Sequence, residues 1–395
     1  MTTNEKKFSK LTTILPNSIA RETMTQIVEE MGVKALVWKA RGTLLYDSWW
    51  KRFIPPISPV KTVSQMILPE DRAKEVVQKI VEYSNLHKQA IGAVFNNPCE
   101  RTIIGSEFQS LKNIEEKTLL NSDKIPKDLS IIYCILPPKM SEKVAKAAIN
   151  VGSHGPIIYY SEGKGLRDRL GWLRITKEAE KEVLMVLTSK NEVEKVFDAM
   201  AVAGELYLPG RGFMYSIDID RGLFNLPSRV SQHFYTANLQ QIINAIDHLA
   251  GHNHWRDQSA FSLNNNQPAA LSLLKKEGTA VKNQMAVSVI AKRDDMENLM
   301  DLMLDNGAAG VNIHYAKALT PMSDDSQGRF EAEYAMLRSI TKDTNVDKIC
   351  QAALEYMKKE GMSDICLSTH IVPRIATYVH KGEFAQRVGD KKTAA

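Results

Sequence analysis

The sequence has 395 residues, of which 44% are hydrophobic and 25% charged, a composition typical of a globular protein with two to four domains and a substantial core. Its 51 basic and 46 acidic residues give a net charge of +5 without a long basic run, which argues against nucleic-acid binding. No apolar run reaches the roughly 18 to 20 residues of a spanning helix, and the polar first ten residues have no signal-peptide stretch, so we expect a cytoplasmic protein.

The most informative pattern is an internal repeat, which begins near residues 10, 128 and 284. Each copy has a short apolar run, an amphipathic helix, a glycine and a second apolar run. Glycine accepts the left-handed conformation that ends a helix, which suits Gly32, Gly152 and Gly307 at these positions. A second strand-helix-strand set follows in every copy, so the predicted order is β-α-β-loop-β-α-β. This is the ferredoxin-like unit.

The spacing of the copies predicts the domain boundaries. Gly32 and Gly152 are 120 positions apart, whereas Gly152 and Gly307 are 155 apart, so about 35 extra residues separate the second and third copies. We predict a first repeat over residues 9–115 and a second over 127–228. A helical insertion over 229–280 and a third repeat over 281–385 complete the chain.

The strand composition predicts how the repeats pack. A ferredoxin-like sheet has helices on one face only, and a solvated second face produces alternating apolar and polar residues. Residues 131–136 and 183–187 are instead apolar at both odd and even positions. We therefore predict an α+β fold of three tandem ferredoxin-like (βαββαβ) domains. Their bare sheet faces pack together as an intramolecular pseudo-trimer, and the protein is a monomer.

Two motifs of the second copy carry a family resemblance. The stretches "EGKGLRDRLGWLRITKEAEKEVLMVL" and "PGRGFMY" resemble the PII signal-transduction superfamily, whose members are homotrimers of one ferredoxin-like unit. The first copy resembles PII mainly through "KTVSQMILPEDRAKEVVQKIVEY", and the third in pattern more than in motif. The resemblance implies three PII-like repeats in one chain.

The resemblance also implies a nucleotide site. PII proteins bind adenine nucleotides between neighbouring subunits, with a glycine-rich turn around the phosphates and a long T-loop that changes shape with the ligand. Glycines let the backbone approach a phosphate, and Arg or Lys supplies charge-assisted hydrogen bonds. The implied ligand is ATP, ADP or AMP. The residues that correspond to the turn and to the base of the T-loop are Gly210, Arg211, Gly212, Gly163, Lys164 and Gly165.

The sequence departs from the PII pattern at several positions. Phe213 stands where PII proteins have a lysine, so Arg211 or Lys164 would have to supply the positive charge. The first copy keeps Gly92 but has Ala93 in the lysine position, and "GMSDICL" in the third copy has neither a second glycine nor a basic residue. We expect one intact site, with the other two degenerate or reassigned. The alternative for "PGRGF" is a turn with a structural role alone.

The loop over residues 41–61 of the first copy is rich in aromatic side chains. Either these aromatics fold back onto a neighbouring repeat or they anchor a partner protein, since aromatic residues and arginine dominate binding hot spots. The residues proposed for partner binding are Tyr46, Trp49, Trp50 and Phe53.

Candidate metal ligands in the insertion are weak. His248, His252 and His254 lie close together, but Gly251 interrupts the helix that would bring them onto one face. A solvated or hydrogen-bonded histidine cluster is favoured, and no metal site is predicted. The four cysteines are scattered without a Cys-x-x-Cys pair, so they indicate neither a disulfide framework nor a zinc site.

The function implied by the resemblance is regulatory. No catalytic motif occurs, so an enzyme is not expected, and no catalytic residue is proposed. We expect a protein that binds an adenine nucleotide, with or without a small anion such as bicarbonate, and controls a partner. PII-like relatives imply a transporter of inorganic carbon or nitrogen, which would hold the protein peripherally at the inner membrane. The alternatives are a non-sensing scaffold subunit of a larger complex and a weak ATPase.

Overall fold

The computed structural model describes residues 7–42, 60–86, 92–108, 127–165, 180–225, 249, 283–321 and 330–378. Within these ranges the order strand-helix-strand-strand-helix-strand occurs in residues 8–98, 129–219 and 284–372, called here the first, second and third segments. The first segment comprises β1 (Phe8–Pro16), α1 (Asn17–Met31), β2 (Ala35–Gly42), β3 (Val60–Pro69), α2 (Glu70–Tyr83) and β4 (Gly92–Pro98), and is followed by β5 (Arg101–Ile104) and a 3-10 helix (Ser106–Phe108).

The other two segments repeat this order. The second comprises β6 (Leu129–Leu136), α3 (Ser141–Asn150), β7 (Ile157–Gly165), β8 (Glu180–Ser189), α4 (Val193–Ala203) and β9 (Phe213–Ile219), followed by β10 (Arg221–Asn225). The third comprises β11 (Gln284–Lys292), a 3-10 helix (Arg293–Asp295), α5 (Met296–Asp305), β12 (Gly310–Leu319), β13 (Phe330–Lys342), α6 (Asp343–Glu360) and β14 (Cys366–Val372), followed by β15 (Arg374–Thr377).

The helices form where the sequence pattern predicts them. The residues that α4 buries include Val193, Val196, Phe197 and Met200, one apolar stripe against the sheet. Each of the three glycines expected after a first helix has a positive φ, of 66°, 105° and 100°. The predicted helix ends are therefore confirmed.

The three segments pair their strands in the same way. The order is β4-β1-β3-β2 in the first, β9-β6-β8-β7 in the second and β14-β11-β13-β12 in the third, and all of these pairings are antiparallel. Helices cover one face of each set and form a separate apolar cluster with it. The chain is thus a mixed α/β protein with one large antiparallel sheet and short helices, an architecture compatible with the predicted ferredoxin-like fold.

The strand that follows each segment pairs with a different segment. β5 pairs with β14 of the third, β10 with β4 of the first, and β15 with β9 of the second. The exchange is cyclic and links all three segments. The predicted boundaries assign each of these strands to the repeat that precedes it. The exchange was not predicted, because the local sequence pattern of a strand does not indicate which distant strand it pairs with.

The faces without helices meet in one shared core, whose buried residues come from all three segments. At its centre lie Trp38 of β2, Tyr159 of β7 and His314 of β12, which occupy the same register position in their segments. Their ring centroids are 4.6 Å apart for Trp38 and His314, 5.1 Å for Tyr159 and His314, and 5.8 Å for Trp38 and Tyr159. The prediction that both faces of each sheet are covered is confirmed.

Candidate functional site

A cleft opens between the second and third segments. Its volume is about 320 Å³ including the open mouth, and the enclosed part has room for about one water molecule. Strands β6 to β9 form one wall and β12 with β13 the other. The lining residues are Ile135, Tyr159, Ser161, Val183, Phe213, Tyr215, Asn312, His314, Arg338, Ser339 and Ile340.

Strand alternation explains why these side chains share one surface. Successive residues of a strand point to opposite faces, so Phe213 and Tyr215 of β9 both face the shared core. Ring stacking continues this wall inward, with centroids 6.3 Å apart between Phe213 and Tyr215 and 5.3 Å apart between Tyr215 and Tyr133. This wall of the cleft is therefore largely aromatic.

Arg338 lies at the inner end of the cleft and is only 8% exposed. Its Nη1 donates to the phenol oxygen of Tyr159 at 3.0 Å, and its Nη2 donates to Oε1 of Gln65 at 3.2 Å. Its Nε lies 3.2 Å from the sulfur of Met336, and Cζ lies 4.9 Å from the ring centroid of Tyr133. Among the described residues, no carboxylate forms a salt bridge with this guanidinium.

Two further polar side chains line the cleft without a partner. Ser161 is 6% exposed and His314 4%, and within the described ranges neither Oγ of Ser161 nor Nε2 of His314 has a hydrogen-bond partner. Burial, and after it the charge of Arg338, lowers the pKa of His314 well below the usual range. The imidazole is therefore neutral at physiological pH, and its free nitrogen is available to a ligand.

The two predicted nucleotide-binding stretches do not line the cleft themselves, but each adjoins a residue that does. Phe213, a partly exposed lining residue, directly follows Gly212. Asn312, another partly exposed lining residue, pairs with Gly163 between β12 and β7. Strands β6 and β8 lie between the two stretches in the sheet, so they do not touch each other. The two stretches therefore lie near the same cleft but are not in contact with each other.

The turn over residues 210–212 has a clear packing role. Gly210 has a φ of 81° and Gly212 one of 105°, values that favour glycine. A Cβ on Gly212 would also lie 2.0 Å from the carbonyl oxygen of Ile135. The guanidinium of Arg211 forms a salt bridge, with its Nη2 3.0 Å from Oε2 of Glu205.

The stretch at the end of β7 is a regular strand. Gly163, Lys164 and Gly165 pair with residues 310–312 of β12, and Nζ of Lys164 is 3.7 Å from Oε1 of Glu297. Both predicted cations thus have a carboxylate partner. Because the Arg211 and Lys164 side chains are 42% and 39% exposed, these ion pairs contribute little to stability. Lys164 alternates with Ser161 and Gly163 along β7 and pairs with Val311 of the helix-side cluster, so its side chain lies on the helix-covered face of the sheet and points away from the cleft.

The corresponding turn of the third segment, residues 361–367, is covered by another part of the chain. The amide of Gly105 donates to the carbonyl oxygen of Ile365 at 2.8 Å, and Oγ of Ser363 donates to Glu107 at 3.0 Å. The 3-10 helix after β5 therefore occupies the space beside this turn.

An ion cluster that was not predicted from the sequence closes the same region. Nζ of Lys34 donates to Asp364 at 2.6 Å, to Glu107 at 2.9 Å and to the phenol oxygen of Tyr334 at 2.8 Å. The Tyr334 hydroxyl in turn donates to Asp364. The cluster joins the first and third segments where a cleft would otherwise lie.

Several predicted residues lie outside the described ranges. These are the aromatic residues Tyr46, Trp49, Trp50 and Phe53 and the histidines His248, His252 and His254. In the described part of the chain, no group of three or more His, Cys, Asp or Glu side chains is arranged to hold a metal ion. None of the helices in those ranges combines the length and the apolar character that crossing a membrane requires.

Arg338 was not predicted as a site residue. The signal was present in "YAMLRSITK", where one arginine interrupts an apolar strand. The sequence could not show on which face of the sheet this side chain lies. In the structure it lies on the face that packs into the shared core.

Comparison with known proteins gives only low similarity. No family model matches the sequence, and no curated protein matches it either. The solved structures that resemble it include PII of Arabidopsis thaliana bound to citrate, with 16% identity over 24% of this chain and 79% of that one and a TM-score of 0.20. An unknown protein from Galdieria sulphuraria has 11% identity over 62% of this chain and 100% of that one, with a TM-score of 0.18.

Aspartate kinase from Synechocystis also resembles the chain, with 9% identity over 92% of this chain and 43% of that one and a TM-score of 0.19. All three TM-scores are far below those of proteins that share a fold. The function proposed below therefore depends on contacts within this chain.

Proposed function

We propose that this chain is a PII-like regulatory protein, in which three tandem ferredoxin-like repeats form an intramolecular pseudo-trimer that binds an adenine nucleotide. Two observations support the pseudo-trimer. The strands β5, β10 and β15 are exchanged cyclically among the segments. The equivalent residues Trp38, Tyr159 and His314 meet at the centre.

The observation that carries the nucleotide site is the position of the two glycine-containing stretches. Residues 163–165 and 210–212 each adjoin a residue that lines one cleft between neighbouring segments, Asn312 and Phe213 respectively. In the proposed complex the base stacks on Phe213 at the mouth, and the phosphates lie against the turn, with Arg211 released from Glu205 to bind them. The enclosed part of the cleft is too small for a nucleotide, so the ligand stays at the rim.

Calorimetric titration with ATP, ADP and AMP tests this site. We expect one nucleotide per chain and an affinity at least about tenfold lower when Arg211 is changed to alanine, which corresponds to about 1.4 kcal/mol. Lys190→Ala is the matched control, because this lysine is 41% exposed, is paired with Asp218 and lies at the opposite end of β8. Absence of binding, or three nucleotides per chain, would contradict the proposal.

The proposed role of the bound nucleotide is to select one conformation that a partner recognises. The partner proposed from the family resemblance is a transporter of inorganic carbon or nitrogen, contacted through Tyr46, Trp49, Trp50 and Phe53. Copurification of the wild-type chain and of a variant with these four residues changed to alanine, with and without nucleotide, would test this part. Equal recovery of the partner in all samples would argue against it.

A non-sensing scaffold is the second candidate. The ion cluster of Lys34, Asp364 and Glu107 favours it, because the chain has filled one equivalent cleft with its own side chains. The same calorimetry separates the two candidates, since a scaffold shows no nucleotide binding. A weak ATPase would instead release phosphate, and this release would disappear when Arg211 is changed to alanine.

A further inference from the structure

Two buried polar groups that line the cleft lack a partner among the described residues. Ser161 of β7 is 6% exposed and His314 of β12 is 4% exposed. In that part of the chain, neither Oγ of Ser161 nor Nε2 of His314 takes part in a hydrogen bond. A buried polar atom without a hydrogen bond loses its hydration and gains nothing in return, so such atoms usually bind the protein or an ordered water. These two atoms therefore indicate a bound ligand that forms hydrogen bonds.

The enclosed part of the cleft limits the size of this ligand. It has room for about one water molecule, and a buried water needs about this volume together with two to four polar partners. Ser161 and His314 supply two partners. The guanidinium of Arg338 and the amide of Asn312 also line the cleft and add further hydrogen-bonding groups.

We propose that Ser161 and His314 bind one buried water molecule, which joins the second and third segments through hydrogen bonds. Water suits both groups because it donates as well as accepts. A serine hydroxyl does the same. Burial lowers the pKa of His314 and keeps its imidazole neutral, so Nε2 either donates or accepts according to the tautomer. A bridging water forms hydrogen bonds that are nearly as favourable in enthalpy as a direct one.

The water site occurs once in the chain, although the fold repeats. Ser161 lies two positions after the ring that its segment places at the centre of the shared core. The corresponding residues of the first and third segments are Ala40 and Ala316, which are 6% and 7% exposed and belong to the same core. An alanine has no hydroxyl that needs a partner. We therefore expect one such water per chain, and Ser161→Ala introduces a side chain that the equivalent positions already accommodate.

The stability of Ser161→Ala tests the site by its sign. If the water is bound, the substitution removes one of its hydrogen bonds, and the midpoint of urea denaturation falls. If no water is bound, the substitution removes a buried hydroxyl without a partner, and the midpoint rises. Ser216→Ala is the matched control, because Ser216 is a fully buried serine whose hydroxyl also lacks a partner in the described ranges but which does not line the cleft. This control should not lower the midpoint.

NMR of the full chain with labelled histidine detects the water directly. The ring protons of His314 should show cross-relaxation with a long-lived water, and this signal should weaken in Ser161→Ala. His314→Phe assigns the signal by its loss and keeps an aromatic ring at a position where the other segments have Trp38 and Tyr159. Because both groups bind the same water, the double variant should lose less stability than the two single variants together.

Each outcome decides for or against the site. A lower midpoint for Ser161→Ala, together with a long-lived water at His314, supports it. A higher midpoint overturns it, as does the absence of water cross-relaxation at His314 in the wild-type chain, and additive losses exclude a shared water. The first two measurements suffice even where His314→Phe fails to fold. No nucleotide is used, so failure of the nucleotide proposal is separable from failure of this one.

Discussion

Nη1 of Arg338 in the third segment donates a hydrogen bond of 3.0 Å to the phenol oxygen of Tyr159 in the second, 179 positions away in the sequence. The bond lies in the shared core, where water does not compete for either group. It fixes the guanidinium at the inner end of the cleft. Its loss would leave a charged donor without its acceptor.

The first prediction concerns this bond. Tyr159→Phe should lower the free energy of unfolding by about 1.5 to 3 kcal/mol, the usual contribution of a hydrogen bond to a charged group. Urea denaturation measures the change. Tyr160→Phe removes the same hydroxyl from the neighbouring, exposed tyrosine and should change stability by less than about 0.5 kcal/mol. Equal effects of the two substitutions would show that the buried bond contributes nothing specific.

The second prediction concerns Gly212. Gly212→Ala should cost about 3 kcal/mol or more, because its Cβ would lie 2.0 Å from the carbonyl oxygen of Ile135 and the chain would have to move. Gly152 is a matched control, since it has the same φ of 105° but no atom within 4 Å of an added Cβ. Gly152→Ala should therefore cost only the backbone strain, about 1 to 2 kcal/mol. Similar denaturation midpoints for the two variants would contradict the packing role assigned to the turn.

The third prediction concerns the ion cluster. Asp364→Asn should destabilise the chain by about 3 kcal/mol, because it leaves the buried ammonium of Lys34 without its nearest carboxylate. Glu142→Gln is the control, since its salt bridge with Arg41 is exposed and should contribute at most about 1 kcal/mol. Thermal and urea denaturation would both report the difference.

The pH dependence of the cluster has a definite sign. Burial alone would raise the pKa of Asp364, but the hydrogen bonds from Lys34 and Tyr334 hold it below its usual value. A carboxylate with a lowered pKa in the folded state contributes stability that is present above its unfolded pKa of about 4 and is lost as the pH falls through the folded value. The stability difference between wild type and Asp364→Asn should accordingly shrink below pH 4. A constant difference across this range would contradict the assignment.

The fourth prediction concerns Lys10, whose pKa burial lowers from 10.5 to about 7. Between these values the unfolded chain binds a proton that the folded chain does not, so the free energy of unfolding rises with pH by up to about 1.4 kcal/mol per unit. Lys10→Met removes this dependence. Denaturation at pH 6, 7, 8 and 9 should show the wild type gaining stability relative to the variant above pH 7. Parallel pH curves would mean that Lys10 keeps an ordinary pKa in the folded protein.

The local sequence pattern was sufficient to predict the helices and strands, and also that both faces of the sheets are buried. The glycines after the first helices and the apolar stripe of α4 were predicted because helix ends and helix faces depend on neighbouring residues. The covered second sheet face was predicted because apolar residues at both parities of a strand indicate burial on both of its faces. Each of these signals lies within about twenty residues of chain.

The contacts between distant segments could not be predicted. Lys34 and Asp364 are 330 positions apart, and neither neighbourhood in the sequence indicates an ion pair. The strands β10 and β4 are also far apart in the sequence, and the residues of a strand do not indicate which sheet edge it pairs with. The resemblance indicated which glycines to examine, but only the strand order showed that residues 163–165 and 210–212 lie near one cleft with two strands between them.

The cyclic exchange of β5, β10 and β15 bears on how the protein can be engineered. A fragment that contains one segment and the strand after it carries a strand that pairs with another segment, and it lacks the strand that pairs with its own edge. Such a fragment exposes an unpaired edge, and exposed edges promote aggregation. The chain should therefore unfold as one cooperative unit, and each repeat expressed alone should aggregate. Complementary fragments produced by a break between β5 and β6 or between β10 and β11 should instead be soluble when mixed, because together they contain both partners of every strand pair.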